Sequence, residues 1–567
     1  MIAVLVSWIY MEIICMLAGS GAFGVIRKAL PIPQAKSLGQ TQFSPAYCLV
    51  TGTIIITVYT EIYSIFGKIG FLAHMLFLAA VLAAGVICRE SILEMWKQQK
   101  RTLCSWEGFF YICFTLLIAF FTSRGTFHTD TNIYHAQAIH FYEEYGLIKG
   151  MGNLQLHYAY NSAYLAFASF FSFHWLIGQS LHTATGFIEV MMCIYAFHGL
   201  KDFKTHERHS ADMMRIGTIF YALVMLTGSM SPATDYATVF FTLFVLTAWC
   251  ENMEREGSIS VYGWLSVAAV FVVTLKFSAC LLVLLAAYPA VYLVKEKRWK
   301  ETGVYLGCGL IIIIPFLIRN FLISGWLLYP FKEIDIFQVE WKIPEEYLTV
   351  DADQIKVWGR CLYDVSKVNL PVSEWLPIWW EGQERYEQML IGSVVIGLLL
   401  MAVQFTAGRI RHKKLQWDYL TLVLAILGCL AVWFLMAPFI RYGIAFLFAV
   451  PLLAAGRYLS EKKSGFYSIL TGSLIFCIVV SMSPYWDHYI TDAGVFIKQN
   501  LTQPYYICQK DYDQAETESC EINGNVFYYP KQGEINSYHA FPGTCYAFMI
   551  ERTTLMGDDI KGGFKPK

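Results

Sequence analysis

The chain has 567 residues, of which 56% are hydrophobic and only 15% charged. Soluble proteins carry roughly 25% charged residues, so this composition excludes a soluble globular enzyme and points to a chain solvated by lipid. Forty-two basic and forty-three acidic residues leave a net charge of −1, which provides no long-range field for nucleic acid and makes any charge recognition local.

A bilayer-crossing helix needs ~20 mainly apolar residues, and about fourteen stretches read as candidates. In chain order they run 2–22, 46–65, 70–88, 107–123, 180–199, 214–229, 236–251, 261–275, 277–294, 303–323, 389–405, 418–436, 442–458 and 466–483. Basic clusters at 27–28, 89–101, 201–215, 295–300, 409–414 and 457–463 each follow an odd-numbered stretch. Short cytoplasmic loops collect Lys and Arg, so the alternation puts both termini and the long segments 124–179, 324–388 and 484–567 outside. The chain thus divides into N-terminal spans (1–123), a first large outer loop (124–179), central spans (180–323), a Trp-rich outer loop (324–388), C-terminal spans (389–483) and an outer tail (484–567). One further apolar run, NSAYLAFASFFSFHWLIG at 161–178, is rich in Ser and aromatic residues and is expected to lie at the outer interface instead of crossing.

Ionisable groups near the outer ends of the spans are the informative ones, because charge in lipid is costly and marks pathways or sites. Asp130 sits in a polar turn after the fourth stretch, followed by Tyr134 and His135, and the spacing of His135, Ile139 and Tyr142 predicts a helix lying on the membrane. Asp130 either caps that helix or faces a substrate. Asp235 opens the seventh stretch on the same side, where an N-terminal cap is the alternative role. Lys276 breaks an overlong apolar run and is read as the tip of a tight outer hairpin, either snorkelling or binding an anion. Arg319 and Asn320 lie about one turn inside an apolar helix, and a guanidinium there needs a partner such as an anionic head group. Arg441 and Tyr442 follow the twelfth stretch, as substrate contacts or as an interfacial anchor. Two carboxylates and three cations on one side suit transfer from a lipid-linked phosphate: cations neutralise the leaving phosphate and a carboxylate takes a proton from an acceptor hydroxyl.

Six motifs in this order, DTNIYHAQAIHFYEEYG, NSAYLAFASFF, TDYATVFF, TLKFSA, IRNFLISGWLLYP and APFIRYG, make the chain resemble the GT-C class of integral membrane glycosyltransferases, and within it a bacterial subfamily with a DT-x-x-YHAQAI outer loop. The resemblance implies an all-α polytopic membrane protein of about fourteen spans, with outer interfacial helices and a small β-rich tail. It implies a hexosyltransferase of the bacterial inner membrane, taking a sugar from a polyprenyl-phosphate-linked donor to an extracytoplasmic glycan, lipid or protein acceptor, with no nucleic-acid partner. Asp130 and Asp235 then stand at the catalytic acidic positions. Lys276, Arg319, Arg441 and Tyr442 face the donor phosphate, with Tyr134, His135 and Asn320 as secondary contacts. No cofactor is fixed by the resemblance; a divalent metal is compatible with it, although the class's usual acidic pair is here Asp130 followed by Thr131. The competing functions are a transporter or flippase of a lipid-linked glycan, which should show internal repeats, and a polysaccharide polymerase or ligase.

The Trp-rich loop carries Trp341, Trp358, Trp375, Trp379 and Trp380, suited to interfacial anchoring or to stacking on sugars. In the tail, Asn523-Gly524 and Pro542-Gly543 are turn signals between short strands. Its three cysteines, Cys508, Cys520 and Cys545, could be joined by Cys361, with no pairing fixed by the sequence.

Overall fold

The computed structural model describes residues 1–29, 44–89, 104–255, 257–410, 416–461 and 501–567, together with a few single residues between them. The protein is mainly helical, and eight of the described helices are long and apolar enough to cross a membrane: Ile2–Ile26, Pro45–Phe66, Trp106–Arg124, Phe277–Lys295, Trp299–Ser324, Arg385–Gly408, Trp417–Met436 and Ile440–Ser460. Five more of the expected stretches are helical, at Phe71–Ile87, Ala184–Leu200, Ser210–Val224, Thr234–Glu254 and Ile259–Leu275. They are too short or too polar to join the eight, so about fourteen spans is not the count obtained. The stretch 466–483 lies outside the described residues.

Burial separates the helices into an inner and an outer set. Thr234–Glu254 is buried on nearly every face, packing against Ser210–Val224 and Ile259–Leu275. By contrast, Arg385–Ile410 exposes Val395, Ile396, Leu399 and Val403, the apolar surface that a surrounding bilayer would cover. Helix ends sort to two poles. At one, Arg215 is buried between Asp212 (2.8 Å) and Glu251 (3.0 Å) beside the short connections. At the other, the loop 124–183 meets the chain's C-terminal residues: Gln137 Nε2 donates to the carbonyls of Ser537 (2.8 Å) and Ala540 (2.9 Å), and Phe564 N–H donates to Lys149 O (2.9 Å).

One expectation about the first loop is corrected. Ala136–Glu144 does not lie on a membrane surface, because Ile139 and Tyr142 are buried and the tail covers the helix. Within the run 161–178, Ala163–Phe170 is buried at every position and packs against Pro45–Phe66 and Ala136–Glu144, while Leu176 and Ile177 at its end are exposed. Eight residues at 1.5 Å rise span about 12 Å, far short of a bilayer.

The tail is small and partly β, as its turns predict. Strands β1 (Thr517–Ile522) and β2 (Asn525–Pro530) pair antiparallel, with Ile522 opposite Asn525. The connection is Asn523 (φ 50°) and Gly524 (φ 78°), the two left-handed residues that a type I′ hairpin requires. Strands β3 (Thr553–Leu555) and β4 (Phe564–Pro566) form a second antiparallel pair. Cys361, Cys508, Cys520 and Cys545 are all free thiols.

Candidate functional site

Four chain segments deliver the site. The helix Trp106–Arg124 ends at Gly125, where the backbone runs so close to Thr227 that a Cβ would stand 2.1 Å from its carbonyl oxygen. Thr126 N–H donates to that same carbonyl (2.9 Å), which pins the strand of loop leading to His128 and Asp130. Ser231 then acts as a junction: its hydroxyl accepts from His128 N–H (3.0 Å) and pairs with the Thr131 hydroxyl (2.6 Å), while its carbonyl accepts from Thr185 (2.6 Å). This brings the SPATD turn, and with it Asp235, against the first loop.

Neither aspartate serves as a helix cap. Asp130 precedes a π-helical turn at Thr131–His135, and Asp235 lies in the first turn of Thr234–Glu254, yet no side-chain capping hydrogen bond forms at either end. Their carboxylates turn toward cations from elsewhere. Lys276, in extended backbone between Ile259–Leu275 and the 3₁₀ segment Phe277–Ala286, is the predicted hairpin tip and pairs with Asp235. Its ammonium lies 3.5 Å from the centroid of the Tyr442 ring, a cation–π arrangement. Arg441, at the start of Ile440–Glu461, reaches Asp130 Oδ2 with Nη2 (3.2 Å), Asp235 Oδ2 with Nε (3.6 Å) and His128 Nε2 with Nη1 (2.7 Å).

The guanidinium only donates, so His128 Nε2 accepts and its ring proton sits on Nδ1, which lies 3.8 Å from Asp130 Oδ2. Asp130 N–H also points at Nδ1 (3.1 Å); that contact requires the other tautomer, and the shorter guanidinium contact decides. Burial holds the imidazole of His128 below its ordinary range, against the pull of Asp130. Burial pushes the Asp130 carboxyl up, but its cationic neighbours, Arg441 first, outweigh that, and the group ends below the usual carboxylate range. It is therefore ionised near neutrality.

The cluster is open on one side. Asp235 is buried (4% exposed), while Asp130, Lys276 and Arg441 keep 20%, 21% and 36% of their side chains accessible. A ligand can reach the three without unfolding the fourth. Tyr134 borders the group, its ring 4.2 Å from His135 and 5.1 Å from His157. His135 is buried deeper, with Nδ1 3.4 Å from the Thr131 hydroxyl, and burial lowers its pKa to about 3, so it stays neutral.

Arg319 does not join the cluster. It is buried beneath the first loop, where it donates to Ser64 Oγ (2.5 Å) and Asn161 Oδ1 (3.2 Å) and lies 4.6 Å from the centroid of the Tyr142 ring. Its partners are the protein's own, so its assignment to a donor phosphate is withdrawn. Asn320 is equally buried on the same helix, with no contact to the Asp130–Asp235 cluster among the described residues, and its amide oxygen has no hydrogen-bond partner there. Two features escaped the sequence reading. His128 was signalled only by its position two residues before Asp130. The second is a buried carboxylate, Asp351, which accepts from the hydroxyls of Tyr160 (2.5 Å) and Tyr329 (2.9 Å), with His157 Nε2 3.9 Å away.

His128, Asp130 and Asp235 each direct a ligand-type atom to one region, the three atoms lying within 4.8 Å of one another. The donor set suits a divalent ion, but the Arg441 guanidinium already lies against all three residues. A metal does not fit alongside it.

No curated protein and no solved structure matches the chain. A family model described as "Domain of unknown function (DUF8201)" matches residues 1–448, a stretch that includes His128, Asp130, Asp235, Lys276, Arg441 and Tyr442; the chain belongs to the DUF8201 family.

Proposed function

We propose that the protein is an integral membrane glycosyltransferase that moves a sugar from a polyprenyl-phosphate-linked donor to an acceptor hydroxyl. The reading is carried by one observation: two carboxylates and two cations, separated by as many as 311 residues from Asp130 to Arg441, meet in a cluster that remains open on one side. Polyprenyl phosphate is a poor leaving group unless its charge is neutralised, and Lys276 and Arg441 are positioned to hold it. When the donor phosphate engages Arg441 it competes with Asp130, whose carboxylate is released toward the acceptor. Asp130 then takes the acceptor proton, the acceptor oxygen forms its bond to the anomeric carbon, and the bond from that carbon to the phosphate oxygen breaks with its electron pair. Asp235 keeps Lys276 in place, and Tyr442 backs its ammonium.

The five helices outside the long apolar set also cross in this reading, each joining the same two poles as its neighbours, with 466–483 as a further span. The cluster then opens on the extracytoplasmic face of a bacterial inner membrane. A transporter would hold its ions near the bilayer midplane; here the ion pairs sit where helices end, which favours transfer over transport. Polymerisation or ligation of a glycan would use the same chemistry with a larger donor.

The test is transfer from a labelled lipid-linked donor in proteoliposomes. Asp130→Asn should lower the rate by about 10²- to 10⁴-fold, the usual contribution of a positioned base, with the protein folded and inserted. A near-normal rate would remove Asp130 as the base and the proposed mechanism with it.

A further inference from the structure

We infer that Arg441 is a built-in substitute for a divalent cation: it occupies the place where the His128–Asp130–Asp235 triad would otherwise bind a metal ion. The triad has the composition of a metal site, one imidazole and two carboxylates with donor atoms within 4.8 Å of one another. Metal–ligand distances of about 2.0 to 2.2 Å would draw such a set together with small side-chain movements. In the structure the same three residues converge on one guanidinium. Arg441 turns a different nitrogen to each: Nη1 donates to His128 (2.7 Å), Nη2 pairs with Asp130 (3.2 Å), and Nε lies 3.6 Å from Asp235, an ion pair without a hydrogen bond. A planar group with donors on three sides does here what an ion does by coordination.

Charge accounting points the same way. With His128 neutral, Asp130 and Asp235 contribute −2 and Lys276 and Arg441 contribute +2, so the cluster is already balanced. A divalent ion entering beside Arg441 would bring it to +2 in a partly buried site, and displacing Arg441 would strand a guanidinium 36% exposed between Phe439 and Tyr442. Removing the Arg441 charge, in contrast, leaves −1 and three free donor atoms. A divalent ion then brings the cluster to +1, less than the +2 it would reach beside Arg441, and gains three ligands.

The inference concerns cation occupancy and stands apart from the transfer reaction. Wild type, Arg441→Met and Arg441→Met/His128→Ala are purified in nanodiscs, incubated with Zn²⁺ or Mn²⁺, desalted, and assayed for bound metal and for thermal unfolding. Wild type should retain no stoichiometric ion. Arg441→Met should retain one per chain and gain thermal stability when metal is added, and the double variant should lose both effects. One tightly held ion in wild type that His128→Ala removes would overturn the inference, as would a folded Arg441→Met that binds none. The wild-type arm requires no variant to fold, and Arg441→Lys, which keeps a cation near the carboxylates, should bind none. A metal found in wild type would leave the transfer reading intact with an added cofactor; normal transfer by Asp130→Asn would end that reading without touching the metal result.

Discussion

Arg441 and Arg319 look alike in the sequence, each following an apolar run beside a polar residue, yet they have opposite surroundings. Arg441 meets two carboxylates and an imidazole and is open to a ligand; Arg319 is enclosed by Ser64, Asn161 and Tyr142. Span parity gives the height of a residue along the bundle but not the direction in which it faces around it. Both arginines stand at the same pole, and only packing separates them. Asp130, Asp235, Lys276, Arg441 and Tyr442 were legible because each lies at a helix end on that pole, where height alone nearly fixes position. His128 was not, since a single histidine in a polar turn carries no period and no partner. A substitution distinguishes the two arginines. Arg319→Lys keeps the charge but cannot reproduce the fork to Ser64 and Asn161, and should cost roughly 1–3 kcal/mol of stability, measured by thermal unfolding in nanodiscs, while polyprenyl phosphate binds with unchanged affinity. Arg441→Lys should do the reverse, weakening phosphate binding by about tenfold, or roughly 1.4 kcal/mol, with little loss of stability. Exchanged outcomes would return Arg319 to the site.

At the scale of elements, the hairpin β1–β2 was legible from Asn523-Gly524 because only a few residue types accept two consecutive left-handed conformations. The placement of Ala163–Phe170 was not: Ser and aromatic residues suit an interface and a buried contact between helices equally, and composition cannot tell which surface covers them. The docking of the tail on the first loop also left no local trace, being built from contacts nearly 400 residues apart. His140 is central to it, stacked between the rings of Tyr538 (4.1 Å) and Phe541 (3.9 Å) with Nδ1 3.1 Å from Tyr538 O. Burial lowers its pKa from 6.5 to about 4. Below pH 6.5 the undocked state therefore binds a proton that the docked state refuses, so docking is at full strength above that value and weakens as pH falls toward 4, by up to about 3 kcal/mol. Hydrogen exchange in residues 501–567 should accelerate between pH 7.5 and 5 once corrected for the intrinsic rate. His140→Gln, which cannot titrate, should flatten that dependence; an undiminished slope in the variant would assign it to another group.

For the whole molecule, the basic clusters assign a proposed sidedness to the helix ends because translocation charge rules act on short loops wherever they occur. The number of crossings was not readable in the sequence, since five of the helices are shorter or more polar than a lone span. Single cysteines at positions 130, 276 and 441, introduced into a background lacking accessible thiols, should all react with an impermeant maleimide added from the periplasmic side, and one at Lys201 only after permeabilisation. Labelling of any of the first three solely from the cytoplasm would break the shared pole. The sharpest measurement is a cryo-EM map of the protein in nanodiscs with polyprenyl phosphate bound. The proposed mechanism requires phosphate density within hydrogen-bond reach of both Lys276 and Arg441, with Asp130 released from its pair. Phosphate seated elsewhere, or Asp130 still held by Arg441 in the occupied site, would contradict it.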